Sequence, residues 1–436
     1  MSYDIVIYNG TIITVNAEFD ILENGMICIK DGKLQRIETV DPDSPLPEAQ
    51  ETIDANGGII MPGLVNTHTH LPMTLFRGLA DDLPLLEWLN EYIFPAESKH
   101  LNPESVKLGA ILGCAEMILS GTTTCCDGYF FEDQVASAVH ESGMRAVLGQ
   151  GVIDFPAPGV PDPSKNIINA EKFSERWQGV SSLIHPSVFC HTPYTCSADT
   201  LKKAKSAAAS RELLFQIHAA ETKSERDQFQ SEHQMTPIQY LDSLGILDQD
   251  TLLVHTIWVN DEDVKVIANR GAKISHNPES NMKLASGVAP VPKFLRAGLT
   301  VGLGTDGCAS NNNLDIFQEM DFAAKIHKGH TLDPTVMDAK SVLKMASICG
   351  ASAIGLENET GSLETGKMAD LIVINTHAPH LVPMYNPVSH IVYTVVGSDV
   401  RDVVIAGRII LRDRKLLTID IQEVLEKVSV FSRAIG

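Results

Sequence analysis

The stretch Gly58-Ile59-Ile60-Met61-Pro62-Gly63-Leu64-Val65-Asn66-Thr67-His68-Thr69-His70 decides the fold. An apolar run ends in two histidines separated by a single residue. A strand sends residues i and i+2 out of one face, so the imidazoles of His68 and His70 leave the same side together. Two imidazoles at a strand end make half of a metal site. The other half is expected at later strand ends. His218 closes Leu213-Leu214-Phe215-Gln216-Ile217, His255 closes Thr251-Leu252-Leu253-Val254, and Asp306 follows Thr300-Val301-Gly302-Leu303-Gly304-Thr305. Each lies just past a short apolar run, where an α/β barrel presents its chemistry.

Outward from that stretch, strand and helix patterns alternate, which argues for a parallel sheet with crossover helices. Strands are expected at 59–67, 122–127, 145–152, 185–190, 213–217, 251–254, 272–275 and 300–305, with helices at 103–119 and 200–211 among those between them. Eight β/α units in roughly 300 residues fit a (β/α)8 barrel of the TIM type. The connection from Leu71 to about Asn102 is long enough to form a lid over the barrel mouth. Before the barrel, Asp4–Tyr8, Thr11–Val15 and Gly25–Ile29 read as strands, punctuated by the turn pairs Asn9-Gly10 and Asp31-Gly32. After it, Ala369–Ile374, His390–Val396 and Val403–Ile410 read the same way. Neither flank is large enough to bury a robust core alone. They are expected to pair into one small β-sandwich domain, residues 1–57 with 362–436, beside a catalytic barrel over 58–361.

The chain has 436 residues and a formal charge of -21. Such a surface argues against a nucleic-acid backbone or an anionic membrane as partner. No signal peptide or membrane span is visible. The eight cysteines are scattered, none in a CxxC pair, so neither a disulfide framework nor a cysteine zinc site is expected. The reducing cytoplasm is the expected compartment.

Neutral imidazoles and a carboxylate suit a divalent metal. His68, His70, His218 and Asp306 would supply four ligands to a single ion, zinc first, with iron and manganese admitted by the same donors. A water in a fifth position would have its pKa lowered toward neutral. Asp306 could hold metal with one oxygen and take a proton with the other, and His255 could orient the attacking water. Glu221, three residues after His218, is a further carboxylate placed beside that centre.

Pro62 through His70 resembles the opening signature of the amidohydrolase superfamily. The likeness continues through His218-Ala219-Ala220-Glu221, Ser275-His276-Asn277-Pro278 and Gly304-Thr305-Asp306-Gly307. It ends in Gly361 through Leu371, which is similar to the family's re-entry into its small β-domain. No lysine stands at the end of the fourth strand, where two-metal members carry a bridging carbamate; His191 is there instead. Within the superfamily, the 5-methylthioadenosine/S-adenosylhomocysteine deaminases are most similar. Leu71 through Leu83, Glu87-Trp88-Leu89, Phe94-Pro95-Ala96-Glu97, His191 through Ser197 and Ala309 through Asp315 carry that likeness.

The resemblance implies hydrolytic removal of the adenine amino group from a small nucleoside, by an enzyme that is a homodimer or larger. It implies that His68, His70, His218 and Asp306 are ligands and His255 a second-sphere group. It implies that Glu97 accepts the ribose hydroxyls, that His191 touches purine or ribose, and that Trp88 shields the thioether side. Glu221 and Asp306 would meet both substrate and proton, while His276 is expected to be structural. Relatives that take S-adenosylhomocysteine can present arginines after the third strand. Here Lys165 is the only basic residue between Gln150 and Ala170, which suits a methylthio group better than a zwitterion. The same frame also serves hydrolases of other rings, such as chlorotriazine hydrolases and guanine or pterin deaminases. A binding protein that had lost catalysis would lack ligands or shuttle.

Overall fold

Gly63 divides the opening run in two. In the computed structural model, which describes residues 2–435, Ile59–Pro62 pairs parallel with Tyr3–Ile13 and antiparallel with Leu371–Ile374. Leu64–Thr69 pairs instead with Thr122–Tyr129. The strand expected over 59–67 is therefore two strands in two sheets. A Cβ on Gly63 would collide with the Thr123 side chain, so only glycine passes at this crossing. The sequence shows one apolar run because both strands are buried on both faces.

From Leu64 the chain winds through eight parallel strands: Leu64–Thr69, Thr122–Tyr129, Arg145–Val152, Ile184–Cys190, Leu214–Ala219, Thr251–His255, Lys273–His276 and Val301–Leu303. They are hydrogen-bonded in sequence order. The seam between the eighth and the first is closed largely by side chains. The Asn66 amide donates to Thr305 Oγ1 at 2.7 Å and accepts from the Thr305 amide at 3.1 Å. The Asp306 amide then donates to His68 O at 2.9 Å. The same bonds that close the barrel set His68 beside Asp306. Helices cover the outside. The first, Pro103–Leu119, begins where expected because Asn102 caps it: its side chain accepts from Glu104 and Ser105 amides, and Ser105 returns the bond.

The connection over 71–102 is folded into short helical turns. Leu71–Phe76 is 3-10, Trp88–Ile93 is a π turn and Phe94–His100 is α. Trp88, Ile93 and Glu97 are buried by it.

Both ends of the chain contribute to one nine-stranded mixed sheet. Its own core gathers Ile5, Ile7, Ile27 and Ile29 from the first segment with Leu371, Val373 and Val404 from the last. The strand expected over His390–Val396 is instead a helix, Pro387–Tyr393. Its β-branched composition mimics a strand. Yet Asn386 caps it by accepting from the Ser389 amide, Pro387 sits in the first turn, and Val388, Ile391 and Val392 bury one face at helical spacing. Sheet and barrel are joined by a buried ion pair. Arg145, at the start of the third barrel strand, donates to Asp370 at 2.8 Å, with neither side chain exposed. Arg145 also reaches Ser182 O and Glu359. The C-terminal helix, Ile421–Ile435, lies against Pro103–Leu119.

Candidate metal centre and pocket

The C-terminal ends of the barrel strands bring His68, His70, His218 and Asp306 together, with one donor atom of each within 4.8 Å of the others. Asp306 Oδ1 stands 3.4 Å from His68 Nε2 and 3.3 Å from His70 Nε2. His68 Nε2 and His218 Nε2 face each other at 3.1 Å. All four residues are buried. Burial holds the imidazoles neutral: His68 is pushed down to about 4, His70 is lowered and His218 lies well below its ordinary value. Burial alone would raise the Asp306 carboxyl, but His68 and His70 hold it well below the usual carboxylate range.

Three neutral imidazoles facing one carboxylate oxygen form a donor set completed by a divalent cation. The orienting bonds fit that role. His70 Nδ1–H donates to Gly128 O at 2.6 Å, which leaves Nε2 as the free lone pair. His68 Nδ1 is buried without a hydrogen-bond partner, so it contributes nothing to orienting its ring. Asp306 Oδ2, the oxygen expected to take a proton, accepts from Ser280 and Ser310 hydroxyls at 2.7 and 2.8 Å. The Gly307 amide donates to Oδ1.

Around this cluster the remaining sites fall into one cavity. His255 Nδ1 donates to Asn281 Oδ1 at 2.8 Å, so its Nε2 faces inward and lies 3.9 Å from Glu221 Oε2. Glu221 is buried, and burial raises its carboxyl despite the opposing pull of His255. Ser286 Oγ is 3.4 Å from its other oxygen. Glu97, which lines the same cavity, is buried with the Tyr129 hydroxyl donating to it, and burial pushes its carboxyl up to about 7. His191 is anchored through Nδ1 to Thr195 Oγ1 at 3.0 Å and is held neutral by burial, at about 3. Trp88 donates its indole N–H to Ala80 O and presents its ring to the cavity. Met73, Leu85, Leu89, Phe94, Phe130 and Ile153 add an apolar lining, and among the described residues no lysine or arginine lines the cavity. His276 stands apart, its Nε2 3.0 Å from that of His327.

Several residues that shape the site carry no signal of their own in the sequence. Asn281 and Ser280 lie on the short helix Pro278–Lys283 after the seventh strand. Tyr129 looks like strand core, and Glu225 looks like an ordinary carboxylate in a first helical turn. Only Ser310, within Ala309 through Asp315, lay in a motif already singled out.

Fold and centre together define a barrel hydrolase built around a divalent metal. A model of the amidohydrolase family matches residues 59–410. A 5-methylthioadenosine/S-adenosylhomocysteine deaminase of Syntrophobacter fumaroxidans is 45% identical over 432 residues, covering 99% of this chain and 98% of its own. A 5'-deoxyadenosine deaminase of Methanosarcina mazei is 43% identical, covering 97% and 96%. Among solved structures, an adenosine deaminase from Xanthomonas campestris with bound zinc superposes with a TM-score of 0.97 at 33% identity, covering 100% and 99%. The chain belongs to the amidohydrolase family, in its group of 5-methylthioadenosine/S-adenosylhomocysteine deaminases. It is a hydrolase.

Proposed function

We propose that this enzyme hydrolytically deaminates adenosines whose 5' substituent is small and uncharged, giving the inosine analogue and ammonia. 5'-Methylthioadenosine and 5'-deoxyadenosine are the preferred substrates, and S-adenosylhomocysteine is a poorer one. The observation that carries this reading is the lining of the cavity: its carboxylates and imidazoles are joined by apolar side chains, and among the described residues no lysine or arginine faces it. A zwitterionic amino-acid tail would be desolvated there without a partner for its carboxylate.

His68, His70, His218 and Asp306 would hold the ion, which we assign as zinc. Bound there, it supplies Lewis-acid chemistry that makes water reactive near neutral pH. Glu221 does the proton work. Its raised carboxyl gives a proton to the purine N1; as the carboxylate it takes one proton from the attacking water and passes it to the departing ammonia, and the remaining hydroxyl proton at C6 returns Glu221 to its protonated form. His255, with its tautomer set by Asn281, keeps Nε2 toward Glu221 and the attacking water. Glu97 accepts the ribose 2' and 3' hydroxyls. His191 presents a neutral edge to purine or ribose, and Trp88 walls the 5' end. We assign the chemistry to residues 58–361, with 1–57 and 362–436 as the supporting β unit, to which Ile59–Pro62 also contributes pairing. Eight free cysteines suit a reducing compartment, and among the described residues no helix is long and apolar enough to cross a membrane.

The test is ammonia release from methylthioadenosine, 5'-deoxyadenosine, S-adenosylhomocysteine and adenosine, with guanine and a chlorotriazine as outsiders and metal content measured in parallel. Turnover of the uncharged 5' nucleosides well above the rest supports the reading. Equal efficiency on S-adenosylhomocysteine removes the argument from the apolar lining. No adenosine turnover by metal-loaded protein removes the deaminase assignment.

A further inference from the structure

Glu225 sits in the first turn of the helix Lys223–His233 and is buried. Thr222 caps that helix by accepting from the Glu225 amide at 3.1 Å. In a capping box the carboxylate three residues on would return to the cap's own amide. Glu225 reaches further back than that, beyond the Thr222 amide that also bears on its carboxylate. Its Oε1 accepts from the Ala220 amide at 2.9 Å and its Oε2 from the Glu221 amide at 2.8 Å. One carboxylate thus clamps the two peptides that lead out of the strand bearing His218.

Those peptides are in an unusual conformation. Ala220 has φ 53°, in the left-handed region that L residues resist. Its carbonyl accepts from Ile257 and Trp258 amides at 2.9 and 2.8 Å. These residues follow His255 and Thr256, which have φ 71° and 49°. The ends of two adjacent strands, one carrying Glu221 and the other His255, are therefore locked to each other through the Ala220 peptide, and Glu225 holds that peptide. A helix cap does not require this: Thr222 already takes the Glu225 amide, and the Ala220 and Glu221 amides lie outside the helix.

We propose that Glu225 is a positioning residue, which sets Glu221 against His255 by clamping the Ala220 and Glu221 amides. The proposal rests on the deaminase reading, in which Glu221 moves the protons. Glutamine at 225 keeps the volume but offers one acceptor and one donor, so one of the two amides faces an N–H. The turn then relaxes and Glu221 shifts relative to the ring it protonates.

The experiment compares wild type and Glu225→Gln, both loaded with zinc. The substrates are 5'-deoxyadenosine and its 6-chloropurine counterpart, from which water displaces chloride with no proton delivered to the leaving group. With 5'-deoxyadenosine, kcat is expected to fall about 10- to 100-fold with KM changed less than about threefold. With the chloropurine the loss is expected to be several-fold smaller, because less of that reaction depends on Glu221. Metal stoichiometry and far-UV circular dichroism should match wild type. Three outcomes overturn the proposal: wild-type kcat in the variant, equal losses on both substrates, or loss of bound zinc. The last would mean that the clamp supports the ligand His218 and not the Glu221 turn. Wild type inactive on 5'-deoxyadenosine would instead strike the deaminase reading itself.

Discussion

Glu97→Gln is expected to make the protein more stable and less active at once. Glu97 is 2% exposed, and burial pushes its carboxyl up to about 7 from an ordinary 4.5. Because the folded value lies above the unfolded one, the native state keeps the proton longer. Stability therefore falls as pH rises from about 4.5 to about 7, and above that window the buried carboxylate costs about 3 kcal/mol. Glutamine retains the shape and can still accept from the Tyr129 hydroxyl, but does not titrate. The variant should match wild type below that window and exceed it by about 3 kcal/mol at about pH 8.

Catalysis should move the other way. Hydrogen bonds to a charged acceptor contribute about 1.5–3 kcal/mol each, against about 0.5–1.5 kcal/mol for a neutral one. For two ribose hydroxyls the difference is about 2–3 kcal/mol, or about 30- to 150-fold in kcat/KM. The assay is ammonia release from 5'-deoxyadenosine and from its 2',3'-dideoxy counterpart, across a range of pH, with urea unfolding alongside. Wild-type kcat/KM on the diol should climb with pH through about 7, since the carboxylate is the better acceptor. The variant should lose that limb and should lose little on the dideoxy substrate. Equal losses on both substrates, or no gain in stability at high pH, would refute the assignment of Glu97 as a buried carboxylate held for the ribose.

Arg145→Leu leaves Asp370 buried and unpaired between barrel and small sheet, and should cost about 3–5 kcal/mol by denaturant unfolding. Arg145→Met with Asp370→Leu should recover a large part of that loss. Asn281→Leu frees His255 to take the wrong tautomer, and kcat/KM should fall about 10- to 100-fold with metal content unchanged. Chelation should abolish deamination and lower the unfolding temperature, and zinc should restore both; deaminase activity surviving in metal-free protein would exclude the four-residue centre from the reaction.

The barrel was legible because its strands announce themselves twice, as short apolar runs and as polar residues placed just beyond them. His68, His70, His218, His255 and Asp306 all stand at such ends, so their convergence followed from the topology once the strands were counted. Four local readings failed: besides the strand over 59–67 and the one over His390–Val396, Asn9-Gly10 is not a hairpin turn but lies within the strand Tyr3–Ile13, where the register shifts, and Val403–Ile410 is not one strand but the hairpin Val400–Ile405 and Arg408–Arg412, turning at Ala406-Gly407 through positive φ. The first two failed for one reason. Composition cannot say which neighbour buries an apolar segment. Ile59–Pro62 and Leu64–Thr69 read as one strand because each is covered on both sides, though by different sheets. Pro387–Tyr393 reads as a strand from its β-branched residues, but its cap and the core beneath it make it a helix.

By itself, then, the sequence determined the barrel class, the donor set for a divalent metal, the family and the composite β unit. The barrel, the donor set and the β unit depend on periodicity and residue type, which are local properties, and the family on the resemblance of short motifs. The tertiary structure alone decided that Asp306 Oδ2 is occupied by Ser280 and Ser310, that Asn281 sets the tautomer of His255, and that Tyr129 donates to Glu97. It also decided that Arg145 pairs with Asp370 across 225 residues of chain. A hydrogen bond is satisfied at about 3 Å by whichever group the fold delivers. Nothing in the spacing of residues along a chain states which group that will be.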